Sequence, residues 1–170
     1  MHLSSEFFNR NTVIVARQLL GKYLIRKGKK NISAKIIETE AYHGLDDKAS
    51  HASRGITLRT KIMFGPPGTT YVYLIYGMYH CLNFVTMRKG FPAAVLIRAI
   101  SAKGGDGPGK LCCMLHIDKR LNGLDTENNQ IWVEDKGEYI SPRDIKRNKR
   151  IGIEYAGKYK DKLWRFTLMR

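Results

Sequence analysis

Acidic side chains, cysteines and prolines are all few in this chain of 170 residues. Asp and Glu number 15 against 30 Lys and Arg, and the resulting net charge of +15 indicates a polyanionic partner, either nucleic acid or an acidic membrane surface. Three cysteines, two of them adjacent, form no regular disulfide framework and favour a reducing compartment. Prolines number only 5, and the hydrophobic fraction of 43% together with 16 glycines is that of an ordered globular protein, which excludes a disordered basic tail.

Long apolar runs are also missing. No segment approaches the ~18 apolar residues that a membrane-spanning helix requires, and Met1–Arg10 lacks the apolar stretch of a secretory signal. There is no internal repeat, and no linker rich in proline, glycine or serine separates two domains. We therefore expect a cytoplasmic protein with no membrane partner, folded as a single domain over residues 1–170.

Strand-like segments outnumber helical ones. Helices are predicted over Asn11–Leu20, Asp46–Ser53 and Lys110–Ile117, and the basic turn Lys27–Lys30 joins the first two strands. Because crossover helices do not follow the strands regularly, the sequence predicts an α+β fold, a single mixed domain around a mostly antiparallel sheet. The predicted strands are Tyr23–Arg26, Ile32–Glu40, Thr70–Ile75, Tyr79–Thr86, Ala93–Ile100, Ile131–Glu134, Ile151–Tyr155 and Leu163–Met169.

Basic residues cluster in two segments. Residues 143–170 contain ten Lys or Arg against three acidic residues, and residues 17–35 contain seven basic residues and no acidic one. A charge run of this kind is often only a solvated surface. Because the whole chain shares the bias, polyanion binding is the better interpretation.

An apolar strand that ends in two carboxylates is the first candidate for chemistry. Strand alternation places Glu38 and Glu40 on one face, where neighbouring carboxylates repel each other, an environment that suits a general base. The alternative is that both carboxylates face solvent at the end of the strand. Spacing alone does not decide which glutamate would act as the base.

Tyrosines are concentrated in the hairpin that follows. Four of the 9 tyrosines lie within Tyr71–Tyr79; Tyr71 and Tyr73 share a strand face, and Tyr76 lies beside Gly77 at the turn. On a basic protein, an aromatic residue at a hairpin tip can wedge between bases, while aromatic residues behind it stack on a base. The alternative is a tyrosine-rich strand that packs half into the core.

Two common ligand-binding motifs are incomplete. The loop Gly104–Lys110 has the glycine and lysine spacing of a phosphate-binding P-loop, but Leu111 stands where a Ser or Thr would hold magnesium, so nucleoside triphosphate binding is excluded. A helix that starts near Pro108 could still hold a DNA phosphate with help from Lys110. The histidines and cysteines lack the spacing of a zinc site, although His51 follows the glutamate pair closely enough to reach the same pocket.

In combination and in order, these segments resemble the alkyladenine (3-methyladenine) DNA glycosylase family. The similarity runs from about Ala16 to Phe166, nearly the whole chain; each motif is weak alone, and the ordered set is highly specific. The motifs that carry the resemblance are Glu38–Tyr42, His51–Gly55, Tyr71–Tyr79, Asn83, Val95–Ala99, Gly107–Cys112, Arg150–Ile153 and Trp164–Phe166.

The resemblance implies a base-excision repair enzyme that flips alkylated or deaminated purines out of double-stranded DNA. It implies that Glu40 is the general base that activates a water, and that Arg98 and the backbone carbonyl of Ile151 help to hold this water. Nothing in the sequence suggests a lysine Schiff base, so hydrolysis of the N-glycosidic bond would leave an abasic site. The family fold is one mixed domain with a protruding aromatic hairpin, and the family needs no metal or organic cofactor.

The resemblance also implies binding residues. Tyr42 would stack on one face of the flipped base, with His51 and Tyr73 on the other face. Asn83 would crowd the 2-amino group of guanine, and Tyr76 would fill the gap left in the duplex. Damaged DNA is then the expected partner of a monomer without an obligate protein partner, associated with the nucleoid in a prokaryote or located in the nucleus in a eukaryote.

Two other functions fit part of the pattern. A non-catalytic nucleic-acid-binding module would share the basic segments and the tyrosine hairpin without needing Glu40 or Arg98. A ribonucleoprotein or translation component would prefer RNA to DNA, which a pocket for a flipped base disfavours.

Overall fold

One antiparallel sheet organises the computed structural model, which describes residues 1–28 and 30–169. The sheet order is β3-β4-β5-β2-β1-β6, with β8 paired to β2 and β7 paired to β8, and every pairing is antiparallel. The α+β prediction is therefore confirmed. The strands are β1 (Tyr23–Arg26), β2 (Ile32–His43), β3 (Thr70–Ile75), β4 (Tyr79–Val85), β5 (Ala93–Ile100), β6 (Ile131–Glu134), β7 (Ile145–Asn148) and β8 (Arg165–Leu168).

Short helices complete the fold. The α-helices are α1 (Ser5–Phe8), α2 (Thr12–Gln18) and α3 (Pro108–Met114), and 3-10 helices span His51–Arg54, Lys61–Phe64, Lys119–Leu121, Pro142–Asp144 and Glu154–Asp161. Asn11 caps the start of helix α2, because its side chain accepts a hydrogen bond from the Val13 amide at 3.0 Å. The helix is tied to β2 where the Thr39 hydroxyl donates to the Ala16 carbonyl at 2.7 Å. In the part of the chain that the structure describes, no helix is long and apolar enough to cross a membrane.

The main core lies where the helices pack on the sheet. Its buried side chains come from the three α-helices, the residues that directly follow α2 and the strands, and a fully buried residue of this kind contributes about 1.5–3 kcal/mol. A smaller cluster lies beside the tyrosine strand, between β3, β5 and the 3-10 helix Lys61–Phe64. Large members of the main core are Phe8, Leu19, Leu24, Ile36, Leu82, Ile97, Leu111 and Phe166.

Strand β2 is the axis of the molecule because it pairs with β1, β5 and β8. Its register against β5 shifts on both sides of Glu38, an irregularity of the β-bulge type. After the shift the pairing is regular from Thr39 to His43, opposite Ile97 to Ala93. The register thus holds Glu40 opposite Leu96 in the interior of the sheet.

Several predicted boundaries are wrong. The strand predicted at Ile151–Tyr155 is a turn that runs into a 3-10 helix, because Gly152 has φ +72° and breaks an extended chain. Strand β7 was not expected, since its Lys and Arg content hides any apolar alternation. The helix predicted over Asp46–Ser53 is a turn followed by the 3-10 helix from His51.

Other differences are small. Helix α3 begins at Pro108, which is compatible with the first helical turn, and ends at Met114 rather than Ile117. The predicted basic turn Lys27–Lys30 includes Lys29, and Lys29 and Arg170 lie outside the described residues.

Candidate active site

A cavity of about 490 Å³ opens beside the tyrosine hairpin. Its walls come from β2, the 3-10 helix at His51, the β3–β4 hairpin, β5, the start of α3 and the turn at Ile151–Tyr155. The sheet places these segments together because β3, β4, β5 and β2 are successive neighbours. The turn at Ile151–Tyr155 joins them where the Ile151 amide donates to Glu40 of β2, so residues more than 100 positions apart in sequence line one cavity.

Glu40 lies directly behind that wall. Its side chain has no solvent exposure, and its carboxylate contacts three cavity-lining residues. Oε1 accepts a hydrogen bond from the Ile151 amide at 2.9 Å, and Oε2 accepts one from the Tyr42 hydroxyl at 2.7 Å. Arg98 Nη1 lies 3.3 Å from Oε2. These donors offset the cost of burying a carboxylate, so a charged group can persist at the cavity.

Arg98 bridges the two glutamates of β2. Its Nε lies 3.3 Å from Glu38 Oε1, an ion pair whose geometry is too poor for a hydrogen bond. Glu38 in turn accepts a hydrogen bond from Arg165 Nη1 at 2.9 Å. The side chain of Glu38 is 20% exposed whereas that of Glu40 is not exposed at all. The alternative that both carboxylates face solvent is therefore wrong. Their different burial distinguishes Glu38 from Glu40, which their spacing in the sequence does not.

Uncharged aromatic rings form much of the cavity wall. The rings of His51 and Tyr73 meet edge to face, with centroids 4.6 Å apart, and His51 Nδ1 lies 3.0 Å from the Tyr71 hydroxyl. Burial, and then the nearby charge of Arg59, lower the pKa of His51 to about 4, so its imidazole is neutral at pH 7. Burial also raises the pKa of Tyr73. The wall therefore offers flat neutral surfaces suited to stacking.

Tyr42 faces this group from β2. Burial, followed by the adjacent Glu40 carboxylate, holds the pKa of Tyr42 well above its usual range, so the phenol remains a donor to Glu40. The Arg150 guanidinium carbon lies 4.8 Å from the centroid of the Tyr42 ring. Nearby, Asn83 is buried at the cavity and donates to the Tyr71 carbonyl at 3.0 Å.

Comparison with known proteins identifies the family. The family model described as methylpurine-DNA glycosylase (MPG) matches residues 6–106 and 102–170 of this chain. The chain belongs to this family. The resemblance drawn from the sequence motifs is thereby confirmed.

Relatives in the methylpurine-DNA glycosylase family align with this chain over almost their full length. Three of them carry the name "Putative 3-methyladenine DNA glycosylase". The relative from Desulfitobacterium hafniense strain Y51 is 44% identical over 195 residues, covering 98% of this chain and 94% of its own. The relative from Anaeromyxobacter sp. strain Fw109-5 is 48% identical over 176 residues, covering 99% of this chain and 89% of its own. The relative from Methanocella arvoryzae is 45% identical over 184 residues, with 96% and 90% covered.

In this member of the methylpurine-DNA glycosylase family, the residues singled out from the sequence meet at one cavity. Glu40 lies behind its wall, in contact with three lining residues. The predicted residues that line the cavity are Tyr42, His51, Tyr73, Tyr76, Asn83, Arg98, Lys110 and Ile151.

The outer predicted residues lie at the mouth. Tyr76 is 86% exposed at the turn of the β3–β4 hairpin and adopts φ +54°. Lys110 is exposed and forms an ion pair at 2.9 Å with Asp106, four residues earlier in the loop before α3. Within residues 1–28 and 30–169, no group of three or more potential metal-ligating side chains was found.

A buried ion pair is the main feature that the sequence motifs do not reveal. Arg150 and Asp47 have no side-chain exposure and form two hydrogen bonds, of 2.6 and 2.8 Å. Arg150 also donates to the Ala41 carbonyl at 2.8 Å and precedes Ile151, whose amide bonds Glu40. Arg150 lies in a recognised motif without a role, and no spacing rule links two residues 103 positions apart.

Proposed function

We propose that this protein is a monofunctional DNA glycosylase of base-excision repair, acting on alkylated and deaminated purines in double-stranded DNA. The observation that carries the proposal is Glu40, a fully buried carboxylate held by Arg98, Tyr42 and the Ile151 amide directly behind an aromatic cavity. The names of the family and of its relatives support DNA and methylated purines as the substrate.

The cavity binds a base that has left the duplex. In this proposal Tyr42 stacks on one face of the flipped purine, and His51 and Tyr73 contact the other; all three rings line the cavity. Asn83, buried at the same wall, disfavours the 2-amino group of an undamaged guanine. Flipping costs a few kcal/mol of pairing and stacking energy. Because this cost is lowest for a damaged base, it is one source of selectivity for damage.

Hydrolysis follows in the cavity. Glu40 takes a proton from a water while the water oxygen forms a bond to the sugar carbon C1′. The bond from C1′ to the purine nitrogen breaks, and its electron pair leaves with the base, so the product is an abasic site. Arg98 and the carbonyl of Ile151 hold the water, a role supported by the contacts that bring both residues to Glu40.

DNA is held around the mouth of the cavity. Tyr76 enters the duplex and fills the gap left by the flipped nucleotide, as its exposed position at the hairpin tip allows. Lys110 contacts a DNA phosphate by exchanging its Asp106 partner for the phosphate. Residues 1–170 act as one catalytic domain, a monomer that needs no protein partner and that works in the cytoplasm at the nucleoid, or in a nucleus.

The test is base release from a duplex that carries one hypoxanthine or one 1,N6-ethenoadenine, read as strand cleavage after hot alkali. Glu40→Gln keeps the size of the side chain but cannot accept a proton, so release should fall by about 10²–10⁴-fold while lesion binding persists. Glu6→Gln, which changes an exposed carboxylate on α1, serves as the matched control and should release the base at the wild-type rate.

Glu38→Gln distinguishes the two glutamates. Because Glu38 contacts Arg98 and not the Ile151 amide, we expect a smaller loss than for Glu40→Gln. If Glu38→Gln abolished base release while Glu40→Gln remained active, the general base would be Glu38, two residues earlier on the same strand face. Lesion binding by the wild type without any alkali-sensitive product would favour the non-catalytic binding module.

A further inference from the structure

Both tyrosine walls of the cavity already carry an arginine. The guanidinium carbon of Arg59 lies 5.0 Å from the centroid of Tyr73, and that of Arg150 lies 4.8 Å from the centroid of Tyr42. A cation near a ring is attracted by the negative face of the π system. A ring that already polarises toward one cation attracts a second one less, and the two cations repel each other.

The two arginines differ in how far their charge is neutralised. Arg150 is fully buried and bonded through two nitrogens to Asp47, so that pair is close to neutral as seen from the cavity. Arg59 is exposed, and among residues 1–28 and 30–169 no carboxylate lies within ion-pair distance of it. Its positive charge is therefore the uncompensated one.

The charge of Arg59 acts on groups inside the cavity. It adds to the effect of burial in lowering the pKa of His51, and it opposes the effect of burial in raising the pKa of Tyr71. The other charges at the cavity largely cancel, because Glu40 faces Arg98 at 3.3 Å and Lys110 is paired with Asp106 at 2.9 Å. A base between Tyr42 and Tyr73 would consequently lie in the field of one unpaired guanidinium.

We propose that Arg59 makes the cavity selective by charge, so that it weakens the binding of purines that carry a positive charge relative to neutral damaged purines. N7-methylguanine belongs to the first class, and hypoxanthine and 1,N6-ethenoadenine belong to the second. The inference rests on the proposed function, since it takes the cavity to be the site of the flipped base. It assigns to Arg59 a role in specificity and none in the chemical step.

The experiment compares affinities for three duplexes of one sequence that differ only in the central base: N7-methylguanine, hypoxanthine or 1,N6-ethenoadenine. Binding is measured by competition in the Glu40→Gln background, where turnover does not interfere. Arg59→Gln removes the charge and keeps a polar side chain of similar reach. Lys61→Gln, which removes an exposed charge two residues later, is the matched control, and Arg59→Lys keeps the charge at the site.

Arg59→Gln should raise the affinity for N7-methylguanine relative to hypoxanthine by about two- to fivefold, the equivalent of one exposed cation–π contact. The ratio between ethenoadenine and hypoxanthine, both neutral, should not change, and Lys61→Gln and Arg59→Lys should keep the parental ratios.

If Arg59→Gln left the affinity for N7-methylguanine relative to hypoxanthine unchanged or lowered it, the proposal would be overturned. An equal loss of affinity for all three duplexes and for undamaged DNA would also overturn it and would mark Arg59 as a phosphate contact. Absence of base release by the wild-type protein would contradict the proposed function instead, and the binding ratios would still be readable.

Discussion

Individual side chains at the cavity owe their protonation state to burial. The phenol of Tyr42 stays protonated and donates to Glu40 because burial and the neighbouring carboxylate raise its pKa. His51 stays neutral because burial and the charge of Arg59 lower its pKa to about 4. The cavity therefore presents the same uncharged rings over the whole physiological pH range, with the charges of Glu40, Arg98 and Arg59 beside them.

Replacing Tyr42 with Phe separates stacking from support of the carboxylate. The ring remains for the base, but Glu40 loses the donor at 2.7 Å. A hydrogen bond to a charged group contributes about 1.5–3 kcal/mol, so single-turnover base release should slow by roughly 10- to 100-fold. Lesion affinity should change much less. Tyr79→Phe, at the exposed side of the cavity mouth, is the control, and equal losses of affinity and rate in Tyr42→Phe would contradict this division of roles.

His51 should make the stability of the protein depend on pH. Its unfolded form binds a proton near pH 6.5, while the folded form does so only near pH 4, so the free energy of unfolding falls as pH decreases through that window. We expect a loss of about 1–2 kcal/mol between pH 7 and pH 5, measured by urea unfolding. His51→Gln should reduce this loss. A smaller slope should remain, because burial also lowers the pKa of His43.

At the scale of elements, the Asp47–Arg150 pair connects segments that carry different parts of the site. Asp47 accepts from the amide of His43 at the end of β2, and Arg150 donates to the Ala41 carbonyl and to Asp47. The next residue, Ile151, donates to Glu40. The pair thus fixes the turn at Ile151 against the strand that bears the proposed base.

Removing one partner of this pair should be costly. Arg150→Met leaves the Asp47 carboxylate buried without its partner, and we expect a loss of about 3–5 kcal/mol in the free energy of unfolding. Asp47→Leu combined with Arg150→Met removes both charges and should recover much of the stability in urea unfolding. Base release should stay slow in the double variant, because the Ile151 turn and the Tyr42 ring have lost their support. Recovery of both properties would show that the pair is only structural.

Strands and helices could be predicted from the sequence where their own residues carry a clear apolar pattern. The strands of the core, such as Thr70–Ile75 and Ala93–Ile100, were located from the sequence because apolar and β-branched residues mark them continuously. Strand β7 carries mostly polar and basic residues, and its partner β8 defines it rather than any local preference. The local sequence at Ile151 predicts a strand. The segment forms a turn instead because Gly152 has a positive φ and the Ile151 amide donates a hydrogen bond to Glu40.

The same limit applies to the candidate site. Motifs located the residues that face the cavity, and alternation placed Glu38 and Glu40 together. Which of them is buried depends on the pairing of β2 with β5 and β8 and on the position of Arg98, which are contacts between distant segments. The Asp47–Arg150 pair and the position of Arg59 over Tyr73 depend on tertiary structure in the same way.

On the scale of the whole molecule, the distribution of charge contrasts with the cavity. The protein carries +15 overall, yet the charges nearest the proposed reaction site are paired, Glu40 with Arg98 and Asp47 with Arg150. On the surface of the described part of the chain, Lys146, Lys158 and Lys160 are exposed and have no carboxylate within ion-pair distance. Surface charge is thus available for a polyanion, while selection of the base is left to the cavity, where Arg59 over Tyr73 is the charge without an ion-pair partner among the described residues.

This division predicts that salt acts on DNA binding more than on the chemical step. If about five phosphates are neutralised, the plot of log affinity against log salt should have a slope of roughly −4.5, whereas single-turnover base release at saturating DNA should vary little. Lys158→Gln removes an exposed charge three residues after Tyr155, which lines the cavity, and should reduce the slope by about 0.9. Arg120→Gln is the matched control, because Arg120 is exposed and is not among the residues that line the cavity, and this variant should leave the slope unchanged. A slope near zero would contradict the polyanion interpretation, and an equal effect of both variants would show that net charge alone, rather than charge at the mouth, sets the affinity.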